Sequence, residues 1–510
     1  MAPCLNHFRY YPMRFFAFSV ALSCIAAAPS LAVAQTPAPS TAVGGSLTLP
    51  EAVALAKRNN PSFQTTLNAR RTAANAVRTA NGNFLPSFSS SFGTDYREGR
   101  QQFVNGVAFG GTNATLSSSG SINANYSLAA GDFSDRKARR ADQEVTEADI
   151  SGAEQNLRVN VTTQYIAVLQ AQAQAVLQDT LLATTSAQLE LARAKLQVGT
   201  GIQLDVDQAD VAHGQQRVAA LRAHNQVDIA KIALFQQMGV PASLGTQLQP
   251  VTTMDMPSMS LQQILDMAGK TNPAVESSRA REKSAGFTLT TQRRSYFPSL
   301  SVNSSYGGFA SRNTNTQQLI DAGLASVPGN LAACQRSEEV RRAVGLSNRY
   351  DQCGTLTAFT ADDEAAIRDA QSKYPFGFTR NPYGFSVGLS LPIFNGFQRE
   401  AAVQNATIQR NNAQNTRREQ ELKVNADVNT AWLTLTTSQQ TVAIQDQNAR
   451  TARNALALAQ ERYRVGSINL VDLVQARSNF DRAESERIAA IYDFQRAFVQ
   501  LEAAVGRPLR

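Results

Sequence analysis

Residues 196–210, LQVGTGIQLDVDQAD, return as YRVGSINLVDLVQAR at residues 463–477. The offset is 466 − 199 = 267, and three features keep their spacing: a V-G-[TS] turn, an Asp six residues after the Gly, and Q-A nine residues after it. The same offset relates Leu234 to Leu501 and Gly239 to Gly506. Earlier marks share a smaller one, 273 − 61 = 212, which links Asn60-Pro61 to Asn272-Pro273 and Leu85-Pro86-Ser87 to Phe297-Pro298-Ser299. A chain that writes one irregular passage twice must fold each half the same way and pack the halves as near-equivalents. The difference, 267 − 212 = 55, measures an insertion in the second half, within residues 310–381.

Heptads say what the halves are made of. Val161, Val168, Ala175, Leu182, Leu189 and Leu196 lie seven apart, and Val428, Leu435, Val442, Ala449, Leu456 and Tyr463 repeat the ladder 267 residues later. Sustained heptads predict long helices lying along neighbours in coiled-coil fashion, over about 134–198 and 398–465. At 1.5 Å per residue each spans roughly 100 Å. Shorter helices are predicted at about 51–82, 204–239, 262–295 and 471–506, each roughly 45 to 55 Å long. Two of these end to end match one long helix. Aromatics are only 7% of the 510 residues, too few for a thick globular core and enough for shallowly packed helices.

Between the helices the period changes to two. YGFSVGLSLPIF puts Tyr383, Phe385, Val387, Leu389, Leu391 and Ile393 on one face and Gly384, Ser386, Gly388 and Ser390 on the other. LSSSGSINANYSL, from Leu116, alternates likewise, and weaker versions start at Pro86 and Pro298. Four strands follow, at about 86–96, 114–128, 298–308 and 382–394. A Ser/Asn/Gly face backed by an apolar face suits a barrel with lipid outside and water inside. The alternative is a half-buried sheet in a soluble sandwich, but the sequence offers no second sheet. Past residue 34 no run of 18 apolar residues predicts a membrane helix. Phe84, Phe88, Tyr126, Phe133, Tyr296, Phe297, Phe394 and Phe397 cluster at the strand–helix junctions, like an interfacial girdle. Arg136, Lys137, Arg139, Arg140, Arg293 and Arg294 lie beside these junctions, either meeting anionic headgroups or serving as a solvated helix turn.

Open strand edges cannot persist in lipid, because each unpaired backbone group costs several kcal/mol. Four strands cannot close a useful barrel, and two copies would give about eight strands with a filled interior. Three copies give about twelve strands and a lumen, so a homotrimer in contact with outer-membrane lipid is the smallest wide conduit.

Residues 1–34 read as a signal peptide: Arg9 and Arg14, an apolar run, then Ala32-Val33-Ala34. Cys24 follows Ala21-Leu22-Ser23, a poor lipidation box. Cys334 and Cys353 remain, and in an exported chain this even pair reads as a disulfide. The net charge of +8 becomes 8 − 2 = +6 on cleavage. No nucleic-acid motif accompanies it. The sequence shows no phosphate-binding loop and no His–carboxylate metal pattern, so no enzymatic activity and no cofactor are expected.

Together these residues resemble the TolC family of outer-membrane efflux and secretion channels. The likeness runs from LTLPEAVALAKRNNPSF at Leu47 to LEAAVGRP at Leu501. It is carried most specifically by the duplicated N-P and P-S spacing, by LSLPIFNGFQRE at Leu389 and by ERYRVGSINLVDLVQAR at Glu461. The resemblance implies a mainly α fold: a twelve-stranded trimeric β-barrel continued by a periplasmic α-barrel, with a linker at 35–46 and repeats at 47–241 and 261–510. Residues 242–260 would be an equatorial linker, and 310–381 an extracellular loop. The implied function is the outer-membrane channel of a tripartite efflux pump or type I secretion system, working with a periplasmic adaptor and an inner-membrane pump of the RND or ABC type. The tip turns Val198-Gly199-Thr200 and Val465-Gly466-Ser467 would meet the adaptor. Asp472 would line the gate, Asp205 would help hold it closed, and Gln475 stands where the family often has a second acid. The simpler reading of both Asp residues is helix-start charge favoured by the dipole. A coiled-coil tether or adhesin anchored by its strands is the alternative function, and a passive pore a third, but neither explains duplicated glycine–acid tips.

Overall fold

A computed structural model describes residues 45–99, 102–104, 107–109, 114–250, 256–347 and 349–509. The predicted signal peptide, with Cys24, lies outside them, as do all but residues 45 and 46 of the N-terminal linker. The first repeat runs β1 (Ser46–Leu47), α1 (Leu49–Asn59), α2 (Pro61–Gly82), β2 (Ser87–Arg97), a small hairpin β3 (Gln102–Val104) and β4 (Val107–Phe109), β5 (Thr115–Ala129), α3 (Asp132–Gln197) and α4 (Gln203–Met238). After β6 (Gln247–Leu248) the second repeat follows with α5 (Leu261–Thr271), α6 (Pro273–Arg294) and β7 (Ser299–Asn313). Its insertion holds α7 (Thr316–Ala343), α8 (Cys353–Leu356) and α9 (Ala361–Ser372). The chain ends with β8 (Thr379–Arg380), β9 (Gly384–Ser390), α10 (Gln398–Arg464) and α11 (Leu470–Val505).

The main strands form one antiparallel sheet in the order β2-β5-β7-β9, with β8 extending the β9 edge. The helices above mid-height pack in the matching order α2-α3-α6-α10, so each strand continues its own helix. Below mid-height α4 packs on α3 and α11 on α10, while α11 also packs on α3. The long helices have 66 and 67 residues, about 100 Å.

The sheet's register largely sorts its faces, with Phe309 opposite Ser119 on the polar side, and Arg312 and Ser90 on the apolar side. Ser89 pairs with Asn123, Asn123 with Ser305 and Ser305 with Gly384. Five residues along, and so on the other face, Leu128 pairs with Leu300 and Leu300 with Leu389. Directly paired residues share a face, so a Ser/Asn/Gly face backs a Leu/Val/Phe face. The apolar face is largely uncovered: Phe88 and Leu389 are each 74% exposed.

Three expectations need correction. The helices drawn at 51–82 and 262–295 are each broken, at Asn60 and Asn272, because the following Pro holds the preceding residue extended. Each Asn caps the next helix: Asn60 Oδ1 accepts from Phe63 N (3.0 Å) and Asn272 Oδ1 from Ala274 N (2.9 Å). Each also donates Nδ2–H to the last turn of the helix stacked beneath, to Gln237 O and Ala504 O, both at 2.8 Å. These repeat-related staples join the short helices end to end. The helix beneath ends each time on a left-handed glycine, and a Cβ on Gly239 would come within 2.5 Å of Asn59 O, so only glycine fits.

The second correction concerns the insertion, drawn as a loop, which is largely helical and ties back to the sheet. Asn313 N donates to Gln371 Oε1 (2.6 Å) and Ser118 Oγ to Pro375 O (2.6 Å). The third concerns the last strand, which stops at Ser390 and excludes Leu391 and Ile393. Pro392 has no N–H for the ladder, and its carbonyl instead accepts from Arg399 Nη1 (2.6 Å), whose guanidinium lies 4.8 Å over the Tyr296 ring.

The core sits at mid-height, in two repeat-related clusters. Ala52, Ala56, Val161, Val168 and Leu234 anchor one; Ile264, Ala268, Val428, Leu435 and Leu501 anchor the other. The ladder residues are buried or half-buried throughout. Fully buried Tyr165 donates its hydroxyl towards Leu47 O (2.8 Å) and Gln249 O (2.7 Å), fastening the parallel β1–β6 pair to α3. Burial pushes this phenol up to about 12.

Candidate functional site: the helical tip

Both long helices end in the same turn. Thr200 N donates to Lys195 O (2.9 Å) and Gly199 N to Leu196 O (3.0 Å); Ser467 N donates to Arg462 O (2.7 Å) and Gly466 N to Tyr463 O (3.1 Å). This is the Schellman pattern, which needs a left-handed residue, and Gly199 and Gly466 have φ of 77° and 80°. Val198 and Val465 flank the glycines and are exposed, as are Thr200 and Ser467.

The returning helices start differently. Asn469 caps α11 by accepting from Asp472 N (2.9 Å), whereas Ile202 gives α4 no side-chain cap. Asp205 and Asp472 occupy the third position of their helices, where a carboxylate faces free N–H groups. Asp472 is exposed; Asp205 is half-buried. Exposed Gln475 donates to Asn479 Oδ1 (3.1 Å).

The structure brings Asp205 to a group that sequence reasoning did not assign to the tip. Tyr463, the last rung of the second ladder, is buried, and its hydroxyl has no hydrogen-bond partner among the described residues. Burial raises its pKa, and the Asp205 charge adds to the rise. Lys195 Nζ lies 4.1 Å over the Tyr463 ring and donates to Tyr463 O (2.6 Å). Lys195 and Tyr463 thus tie one hairpin to the other, with the Asp205 charge close enough to be felt by the phenol. The visible signal was an aromatic in place of an aliphatic rung.

Apolar clusters join the two hairpins at the lower end and, through Leu177, Leu181 and Ile488, across α3 and α11, and hydrogen bonds alternate with them. Leu189, Ala192, Val206, Ala209, Leu456, Leu470 and Leu473 are buried at the lower end. Across the α3–α11 seam, Gln174 donates to Ser485 Oγ (2.8 Å), Gln178 to Asp481 Oδ1 (3.0 Å) and Arg496 to Gln170 Oε1 (2.8 Å). Burial lowers the Arg477 guanidinium from its ordinary value, with Asp481 opposing. Arg477, Val474 and Val471 of α11 face Asp207, Val211 and Gln215 of α4 across an open groove of about 400 Å³. Away from the tip, Cys334 and Cys353 are bonded to each other, joining α7 to the start of α8.

A sheet with uncovered apolar and polar faces, continued by helices about 100 Å long, defines an outer-membrane channel with a periplasmic helical part. The family model described as "Outer membrane efflux protein" matches residues 52–240 and 264–507, and the chain belongs to that family. It is 21% identical over 354 residues to the outer membrane efflux protein BepC of Brucella suis, a match covering 69% of this chain and 64% of the relative. The match therefore spans less than two thirds of that relative's length. Among solved structures, the CmeC outer membrane channel of Campylobacter jejuni has a TM-score of 0.66 at 15% identity, covering 90% of this chain and 85% of that one. The outer membrane protein VceC of Vibrio cholerae has 0.66 at 13%, covering 91% and 97%. The open-state MtrE channel of Neisseria gonorrhoeae has 0.64 at 16%, covering 91% and 89%.

Proposed function

We propose that three copies of this chain close a twelve-stranded barrel in the outer membrane, and that their helices form a tunnel carrying substrates out through it. The observation that carries this is the edge pattern. β2 with α2 and β9 with α10 are the outer members of sheet and helix layer alike, so a neighbouring copy can extend both at once. The largely polar face then lines a water-filled lumen and the apolar face meets lipid.

The tip is the gate of this conduit. Asp472, exposed at the start of α11, faces the threefold axis, with Gln475 one turn above it. The Lys195–Tyr463 tie holds the closed state, and Asp205 beside it helps to do so. The α3–α11 seam, where hydrogen bonds alternate with apolar contacts, is where hairpins slide during opening. The turns at 198–200 and 465–467 and the groove beside Arg477 receive a periplasmic adaptor, which brings an inner-membrane pump that supplies the energy. This is the channel role in a tripartite efflux pump or type I secretion system.

A photocrosslinker at Val465 or Val198 in living cells tests the reading. Capture of a periplasmic adaptor, lost when the adaptor gene is deleted, is expected. Export that continues without any inner-membrane pump, with no adaptor crosslinked, would overturn it.

A further inference from the structure

Just below the sheet, Phe133, Arg136, Lys137 and Arg140 of α3 and Arg294 of α6 line an open cavity of about 570 Å³. The first four lie at helical spacing on one face. No ion pair is formed by any of these four cations among the described residues. Arg136 Nε is buried without a hydrogen-bond partner, while Arg294 reaches only Ala130 O, at 3.5 Å. The neighbouring Arg139 is different: it faces Asp135 (3.5 Å) and Asp142 (3.6 Å). Of the other nearby carboxylates, Asp132 accepts from Ala129 N (2.7 Å) and Glu144 pairs with Lys283 (2.8 Å). Four cations are therefore gathered around one cavity with no anion of the chain among its lining residues.

Height and neighbours identify the missing anion. Phe133 packs on Phe84 at 5.0 Å and stands five residues beyond Leu128, which is in the Leu128–Leu300–Leu389 apolar row. If that row ends the lipid-facing band, the cavity lies level with the headgroups of the inner leaflet. α3 and α6 are the inner pair of the helix layer, so one protomer builds the cavity without a neighbour.

We propose that this cavity binds the phosphate group of an anionic phospholipid, with Phe133 against the glycerol and acyl region and Arg136, Lys137, Arg140 and Arg294 around the charge. The site fixes the depth of the barrel in the bilayer. It rests on the proposed membrane barrel.

Native mass spectrometry of the purified full-length protein in detergent tests it, with phosphatidylglycerol, phosphatidylcholine or inorganic phosphate added. The expected result is up to three phosphatidylglycerol molecules retained per trimer and little phosphatidylcholine. A cation near a membrane surface contributes about 1 kcal/mol, or roughly fivefold in affinity. The double variant R136Q/R140Q should therefore bind phosphatidylglycerol about 25-fold more weakly, while R139Q, whose cation is already paired, should bind as wild type. Equal retention of the two lipids by the wild-type trimer would overturn the proposal, and needs no variant to fold. Equal loss in R139Q and the double variant would also overturn it, because net charge would then explain binding. Displacement of the lipid by millimolar inorganic phosphate would assign the cavity to a soluble anion instead. The same spectra separate the two readings: a trimer that keeps no lipid refutes this site alone, whereas the absence of a trimer refutes the barrel.

Discussion

Asn60→Ala should remove two interactions at once. It leaves the buried Phe63 N–H without its cap and Gln237 O without the Nδ2–H donor that joins α2 to the helix beneath it. Losing the cap costs about 1 kcal/mol, and an inter-helix hydrogen bond with a carbonyl left unsatisfied costs about another 1 to 2. The sum is roughly 2–3 kcal/mol. Unfolding entropy near 2.1 cal/mol/K per residue gives about 1 kcal/mol per degree for a chain this long, so Tm should fall by about 2–3 °C. Asn60→Asp keeps the capping oxygen and deletes only the donor, and should fall between wild type and Ala. Asn272→Ala should match Asn60→Ala, because its cap and its bond to Ala504 O repeat the geometry. The two sites sit in separate core clusters, so the losses should add. Scanning calorimetry at one protein concentration and scan rate measures wild type, the three single variants and the Asn60→Ala/Asn272→Ala double variant. An Asn60→Ala protein with wild-type Tm would refute the idea that these residues staple the stacked helices.

Asp472→Asn should reduce cation selectivity in single-channel recordings, because three carboxylates around one aperture create a negative potential. Asp207→Asn should not, and equal effects from both would show that the acids are only solvated helix starts. Cys334 and Cys353 should resist thiol labelling on intact cells until a reductant is added; the bridge closes a loop with sequence separation 19, worth about 3 kcal/mol in the chain-entropy account. Labelling without reductant would contradict the pairing, and protection after reduction would contradict an extracellular position. The folded pKa of Tyr165 lies near 12 against an ordinary 10. Folded protein therefore keeps a proton that unfolded chain loses, so the stabilisation is complete below about pH 10 and is lost as pH rises towards 12. The Tm advantage of wild type over Tyr165→Phe should shrink across that window, and a constant advantage would place the hydroxyl outside the core.

Much of the fold was legible because duplication and period are long-range patterns. The heptad ladders located α3 and α10 to within two residues at each end, and the shared offsets paired the mid-height clusters before any contact was known. The Asn-Pro marks were visible as landmarks, but not as breaks with staples, because each staple's partner lies far along the chain in another helix: Asn60 bonds to residue 237 and Asn272 to residue 504. The helical content of the insertion was missed because its helices α7 and α9 lack a strong apolar stripe and lie mostly exposed. At the tip, glycine spacing identified both turns. The meeting of Lys195, Asp205 and Tyr463 depends on how two hairpins lean together, which neither repeat encodes alone. The junction cations of both repeats were legible as a group, but not that Arg136, Lys137, Arg140 and Arg294 line one cavity while Arg139 turns to Asp135 and Asp142.

The most direct test of the account is the native mass of the purified protein in detergent, followed by reconstitution of the same fraction into a planar bilayer. The edges β2 and β9 predict a particle of three chains that conducts. A stable monomer that inserts and conducts by itself would contradict the barrel, and with it the tunnel and the gate.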